Sequence, residues 1–295
     1  MRLRAGVIGA VDIGGTKIAV GAVTGSGEIL GRFEFPTAPR EGFPAAMGRT
    51  AEMLRELSRQ VGERYGGIGV ACSGPVDPLS GIVGNVGTLP GWQGSNIVTA
   101  LGKAFGVPVA VENDADAAAL AEATWGAAKG SSRFIYVTIS TGIGGGIVFS
   151  GQLYRGVEGA HPELGHHVLD CSGPPCYCRA RGCWECLASG PAMTAWMSEQ
   201  YPEAGELTAA QICGLARGGD ERARRAVERE GFYIGVGLAN LITMFTPDTI
   251  ALGGGVMKSA DLFLDRARGY PRYLHAGAGR EDAAHAGLAG SRYGA

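Results

Sequence analysis

Over residues 5–35 the chain alternates short runs rich in Val and Ile with two polar breaks, Gly14-Gly15-Thr16 and Thr24-Gly25-Ser26-Gly27. The alternation predicts three strands in a meander whose second turn is a hairpin. Residues 43–62 place Ala46, Met47, Met53, Leu54, Leu57 and Val61 at helical spacing, and 67–72 form a continuous apolar run, so a β-α-β continuation follows. Further on, 107–111 reads as a strand and 114–128 as an alanine-rich helix, and 134–139 with 145–149 read as a second Gly-turned hairpin.

That second hairpin echoes the first and predicts two related α/β halves. The division expected is 1–115 and 116–279, with a helix near 280–295 returning to complete the smaller, N-terminal half. Residues 171–186 look like an irregular insert, 188–230 like helices, 231–245 like a buried helix, and 249–252 like a strand running into Gly253-Gly254-Gly255. A length of 295 residues agrees with two domains, since one domain takes about 100–200.

Composition then narrows the function classes. The chain is 45% hydrophobic and 18% charged with a formal net charge of -2. No polybasic patch marks it for nucleic acid or an anionic membrane, and neither is expected as a partner. The least charged long stretch, 134–154, is broken by Ser140, Thr141 and a run of glycines, so no transmembrane segment is expected. The first residues show no sustained apolar stretch before a small-residue cleavage site, and a cytoplasmic protein is expected. Of seven cysteines, Cys176, Cys178, Cys183 and Cys186 fall within eleven positions, a density that suits a metal better than a disulfide framework.

Three glycine runs stand at strand ends. In Asp12-Ile13-Gly14-Gly15-Thr16-Lys17 the glycines let backbone N–H groups approach phosphate oxygens, Thr16 and Lys17 add donors, and Asp12 could hold Mg²⁺. A plain Gly-Gly hairpin would read the same way. Thr141-Gly142-Ile143-Gly144 repeats the device, and Gly253, Gly254 and Gly255 could pass under a nucleotide's base or ribose. The spacing fits neither a Walker loop nor a dinucleotide fingerprint. Together the three runs point to a nucleotide cleft.

Glu112-Asn113-Asp114 lies where a strand gives way to a helix, which suits Asp114 either to cap that helix or to serve as a cleft-facing base. His161, His166 and His167, followed by Cys176, Cys178 and Cys183, offer three thiolates and an imidazole for a tetrahedral zinc. A redox pair at Cys183 and Cys186 is the rival reading, but it leaves Cys176 and Cys178 unexplained. Trp92 could wall the apolar face of a sugar or sit in the core.

Taken in order, Asp12-Ile-Gly-Gly-Thr-Lys17, Gly74-Pro-Val-Asp77, Glu112-Asn-Asp114, Ser140-Thr-Gly-Ile-Gly-Gly-Gly146 and Glu163-Leu-Gly-His166 resemble the motifs of ROK-family sugar kinases across nearly the whole chain. The resemblance implies an actin-like, ribonuclease H-like ATPase fold, two α/β domains around a cleft, and transfer of phosphate from ATP to a hexose. It implies Asp114 as general base. Gly74, Asn113, Glu163, His166 and Glu185 would be sugar contacts, with His166 joining Cys176, Cys178 and Cys183 around a structural Zn²⁺. Mg²⁺ is implied as cofactor, and a homodimer or homotetramer as the assembly. Glucose is the expected substrate, with fructose and the N-acetylated mannosamine and glucosamine as alternatives. A sugar-sensing regulator of the same family is the alternative of another class, though Asp12 so near the start leaves no DNA-binding domain expected ahead of it. One departure stands out: Arg179 occupies a position where the family has glycine, and if that glycine takes positive φ the arginine would strain the metal loop.

Overall fold

The computed structural model describes residues 6–269 and 287–290. The chain divides into two compact units, one comprising the chain up to Ala117 with Arg155–His161, the other Ala118–Tyr154 with the chain from Pro162 on.

The first unit opens with β1 (Ile8–Ile13), β2 (Lys17–Val23) and β3 (Ile29–Pro36), then α1 (Phe43–Val61), β4 (Gly67–Cys72), α2 (Ile97–Phe105) and β5 (Val109–Asn113). Its sheet has the order β3-β2-β1-β4-β5. The β1–β2 and β2–β3 pairs are antiparallel and the β1–β4 and β4–β5 pairs parallel. Helix α1 buries Ala46, Met47, Leu54 and Leu57 and ends at Gly62, whose φ of 75° gives the left-handed C-cap. Trp92 is fully buried and meets Phe43 edge-on at 5.3 Å, so it belongs to the core rather than to a sugar wall.

Helix α3 (Asp114–Thr124) begins in the first unit and leads to the second, which contains β6 (Arg133–Ile139), β7 (Ile143–Phe149), β8 (Gln152–Leu153), α4 (Trp184–Ala188), α5 (Gly190–Gln200), α6 (Ala209–Arg217), α7 (Glu221–Phe245), β9 (Thr249–Gly253), α8 (Ala260–Arg268) and β10 (Gly287–Gly290). The strand order is β10-β9-β6-β7-β8. Reversed, this is the first sheet again, with β6–β7 and β7–β8 antiparallel and β6–β9 and β9–β10 parallel. The echo between the two hairpins is therefore a repeat of the whole sheet.

Three expectations change. The helix predicted to begin at Gly231 is the second part of α7, which starts ten residues earlier behind an Asp220 cap accepting from Arg222 and Ala223 N–H. Gly231 does not break it, because there the helix lies against Phe263 and Arg266 of α8. Helix α2 was not foreseen; the 280–295 helix falls largely outside the described residues, and within it Gly287–Gly290 is a strand. Among the described residues no helix is long and apolar enough to cross a membrane.

Candidate functional site

In the first unit, parallel registry sets Asp12 beside Ala71 and Ala71 beside Glu112, so the carboxyl ends of β1, β4 and β5 bring Asp12, Ser73, Asn113 and Asp114 together. Ligands in α/β sheets gather at such ends. At the start of α3, Asn113 Oδ1 accepts from the N–H of Ala115 at 2.8 Å and of Asp116 at 3.4 Å and so caps the helix. Asp114 shares Ala115 N–H through Oδ1, while its Oδ2 accepts from Ser73 Oγ at a long 3.3 Å. Asp114 is exposed, so a carboxylate oxygen faces solvent with one weak partner. Gly74 lies against the Asn113 amide, where any Cβ would collide with Nδ2 at 2.8 Å.

Partial desolvation and the nearby Asp114 charge raise the pKa of Asp12, against the pull of Lys17 and Arg32. Two carboxylates this close are an arrangement a divalent cation would relieve. Gly14 and Gly15 form the β1–β2 turn, closed by Gly14 N–H donating to Lys17 O at 3.0 Å and braced by Thr37 Oγ1 donating to Gly14 O at 2.6 Å. Thr16 and Lys17 are exposed there, and Lys17 pairs with Glu34 at 2.8 Å.

In the second unit, Thr141 and Gly142 form the β6–β7 turn and Gly144 lies in β7. Glu185, in the first turn of α4, accepts from Ile143 N–H at 2.9 Å through Oε2. A side chain at Gly142 would overlap that carboxylate, so glycine is required here by Glu185 rather than by a phosphate alone. Gly254 and Gly255 adjoin Ile139 and Ser140, which puts the second and third glycine runs side by side. Gly253 ends β9 and is buried beneath Tyr136.

The three histidines separate cleanly. His161 Nδ1 lies 3.0 Å from Asp116 Oδ2 in the first unit. His167 packs on Trp184 with its ring 5.3 Å away, Nδ1 on Leu164 O at 2.6 Å, and burial lowers its pKa. His166 alone joins the cysteines: its ring and the sulfurs of Cys176, Cys178 and Cys183 offer four ligand atoms within 4.8 Å of one another. His166 Nδ1 is 3.5 Å from Cys176 Sγ, and Cys178 Sγ is 3.5 Å from Cys183 Sγ. These spacings and three soft donors with one imidazole fit a tetrahedral zinc. Burial raises the Cys176 thiol, but hydrogen bonds from Cys178, Cys186 and Cys183 outweigh it and bring the pKa down to about 7. Burial pushes Cys183 and Cys186 up to about 12. Cys186 directs its thiol to Pro175 O at 3.8 Å and is not in the four-atom set.

Arg179 takes φ 77°, the left-handed conformation expected to strain it. Sequence reasoning passed over Tyr177, whose hydroxyl sits 2.7 Å from His166 Nε2 with the rings edge-on, and whose pKa is pushed up to about 12 by burial and then by Glu185 and Glu163. Glu163 is exposed just ahead of the short 3-10 turn Leu164–His166. Glu163, His166, Tyr177 and Glu185 therefore share one neighbourhood beside the cysteine set. No spacing rule marks Tyr177; only its place between Cys176 and Cys178 hints at it.

Two five-stranded sheets of matching order, each opening on a Gly-turned hairpin, with acids at the strand ends of the first, define an actin-like ATPase fold. The ROK family model matches residues 8–293, and the chain belongs to the ROK family. It is 32% identical to the glucokinase of Thermotoga maritima over 88% of this chain and 84% of that protein. Among solved structures it is similar to a ROK hexokinase from Thermus thermophilus, with TM-score 0.84 and 36% identity over 98% of this chain and 94% of that one. It is also similar to a ROK glucokinase from Streptomyces griseus solved with glucose and AMPPNP, with TM-score 0.80 and 32% identity over 98% and 95% of the two chains.

Proposed function

We propose that this protein is an ATP-dependent hexose kinase acting on glucose, with Asp114 as general base. One observation carries the reading: with Oδ1 sharing the Ala115 N–H with Asn113, exposed Asp114 keeps Oδ2 at the strand ends with only a long bond from Ser73. The relative from Streptomyces griseus, alike over nearly the whole chain, holds a hexose and an ATP analogue together.

In this reading Asp114 accepts the proton of the C6 hydroxyl as that oxygen attacks the γ-phosphorus, and the phosphorus–oxygen bond to ADP breaks in line. Asn113 donates its amide to a ring hydroxyl. Glu163 and Glu185 accept from others, Glu185 through the oxygen not engaged by Ile143. Gly15, Thr16 and Lys17 of the first unit, and Thr141, Gly142 and Gly144 of the second, are the donors read for phosphate oxygens, and Gly254 and Gly255 the backbone read as lying beside the nucleoside. Asp12 is the residue to hold Mg²⁺, which when bound neutralises charge on the phosphates. Zinc on His166, Cys176, Cys178 and Cys183 would be structural, four protein ligands leaving no open position. A homodimer or homotetramer in the cytoplasm completes the proposal.

The test is product identity. Phosphorus NMR of the reaction of MgATP with glucose should show one new monoester, glucose 6-phosphate, with stoichiometric ADP. A product esterified elsewhere on the ring, or ADP formed equally without sugar, would contradict it.

A further inference from the structure

Four charged or ionisable side chains meet around the turn that carries Asn113 and Asp114, and the proposed reaction uses none of them. Glu112 precedes the pair at the end of β5, and Asp116 follows it in the first turn of α3. Arg155 Nη2 pairs closely with Glu112 Oε2, and Arg155 Nη1 lies 3.4 Å from Asp116 Oδ2. His161 Nδ1 reaches the same Asp116 oxygen at 3.0 Å. Asp116 is fully buried, and Arg155 keeps only 21% of its side-chain surface. All four belong to the first unit, Arg155 and His161 standing at the two ends of the segment that returns to it.

A buried carboxylate is costly unless a charge partner stays in place, so this network constrains the backbone that bears it. Asp116 also gains from the positive end of the α3 dipole, which favours an acid in the first turn. Glu112, Asp114 and Asp116 fall within five consecutive residues, and Asp12 is near enough to feel Asp114. Four carboxylates there would spread apart without a cation among them. Arginine suits the task because its planar fork can engage two acids at fixed separation, which an ammonium cannot do.

We propose that Arg155 is a positioning residue for Asp114: by bridging Glu112 and Asp116 it clamps the strand-to-helix turn and holds the base in line for the acceptor hydroxyl. His161 is the second anchor on Asp116. The inference rests on the reading of Asp114 as base.

The experiment is a double-mutant cycle in steady-state kinetics of the full chain with glucose and MgATP. Arg155→Met should lower kcat about 10²-fold, the cost of a small misplacement of a reacting group. Both KM values should stay within about threefold, because the lost interaction matters to the transition state rather than to ground-state binding. In an Asp114→Asn background the same change should cost less than about twofold, as expected when one residue acts through the other. Arg155→Lys should restore part of kcat by returning charge without the fork. Unchanged kcat in Arg155→Met, or equal losses in both backgrounds, would overturn the inference while leaving the base intact. Wild-type turnover by Asp114→Asn alone would overturn the base assignment and this inference with it. Should Arg155→Met fail to fold, the charge-balanced pair Arg155→Met with Asp116→Asn is expected to fold with the same kcat loss. Full turnover by that folded pair would sink the positioning role.

Discussion

The two units share one strand order, yet they secure their functional side chains by different means. In the first, Asp12, Asn113 and Asp114 sit at the ends of paired strands, fixed by sheet registry and by the helix that starts at Asp114. In the second, Glu163 and Tyr177 sit in irregular chain, His166 ends a single 3-10 turn, and Glu185 stands on the short helix α4. Strand ends inherit rigidity from the sheet. A loop must obtain it elsewhere, and a cluster of three thiols and an imidazole is the means available there. The first site should therefore tolerate loss of metal, and the second should not.

The largest effect that would sharpen this contrast is at Asp114. Asp114→Asn should lower kcat about 10²–10⁴-fold, the usual worth of a general base, while glucose affinity measured by calorimetry changes little. Next comes Cys178→Ser, which removes one of four ligands. Elemental analysis should find the zinc lost, and the KM for glucose should rise about 10–100-fold, as metal-site disruptions do. Nucleotide analogue binding should be less affected. A metal-free wild-type protein with normal glucose KM would break the comparison.

A smaller effect concerns the core of the second unit. Glu230 in α7 is fully buried, neither carboxylate oxygen has a hydrogen-bond partner among the described residues, and burial raises its pKa well above the ordinary value. The unfolded chain then releases this proton at lower pH than the folded one. Stability from this group is accordingly complete below the ordinary glutamate range and declines as pH climbs toward the raised value. Glu230→Met should stabilise by about 1–3 kcal/mol at neutral pH, the cost of an unsatisfied buried polar group, and flatten the fall in Tm between pH 5 and 8. A pH dependence identical to wild type would contradict the assignment. Smallest is Arg179→Gly, which should stabilise by about 1 kcal/mol by removing a left-handed arginine. An unaltered or lower Tm would show that the loop accommodates it without strain.

The sequence disclosed more of the first site than of the second. Asp12, Asn113 and Asp114 stood out because they fall at or beside the ends of β-branched strands, and the resemblance supplied their roles. The repeated hairpin announced a second sheet. The roles of His161, His166 and His167 were not separable by spacing within the chain, and only the resemblance chose among them. In three dimensions they have different neighbours: His161 meets Asp116, His167 packs on Trp184, and His166 lies among the thiols. Arg155 gave no signal because its partners lie 43 and 39 positions away. The division at Gly231 was not real because packing against Phe263 and Arg266 of α8 outweighs glycine's low helix propensity.

The measurement that bears most directly on the central claim is ADP release from MgATP by the purified protein, offered glucose, fructose, mannose, N-acetylglucosamine and N-acetylmannosamine one at a time. Sugar-dependent release, greatest with glucose and abolished by Asp114→Asn, is the predicted result. Calorimetric binding of a sugar with no ADP formed from any of them would contradict it and assign the chain to sugar sensing.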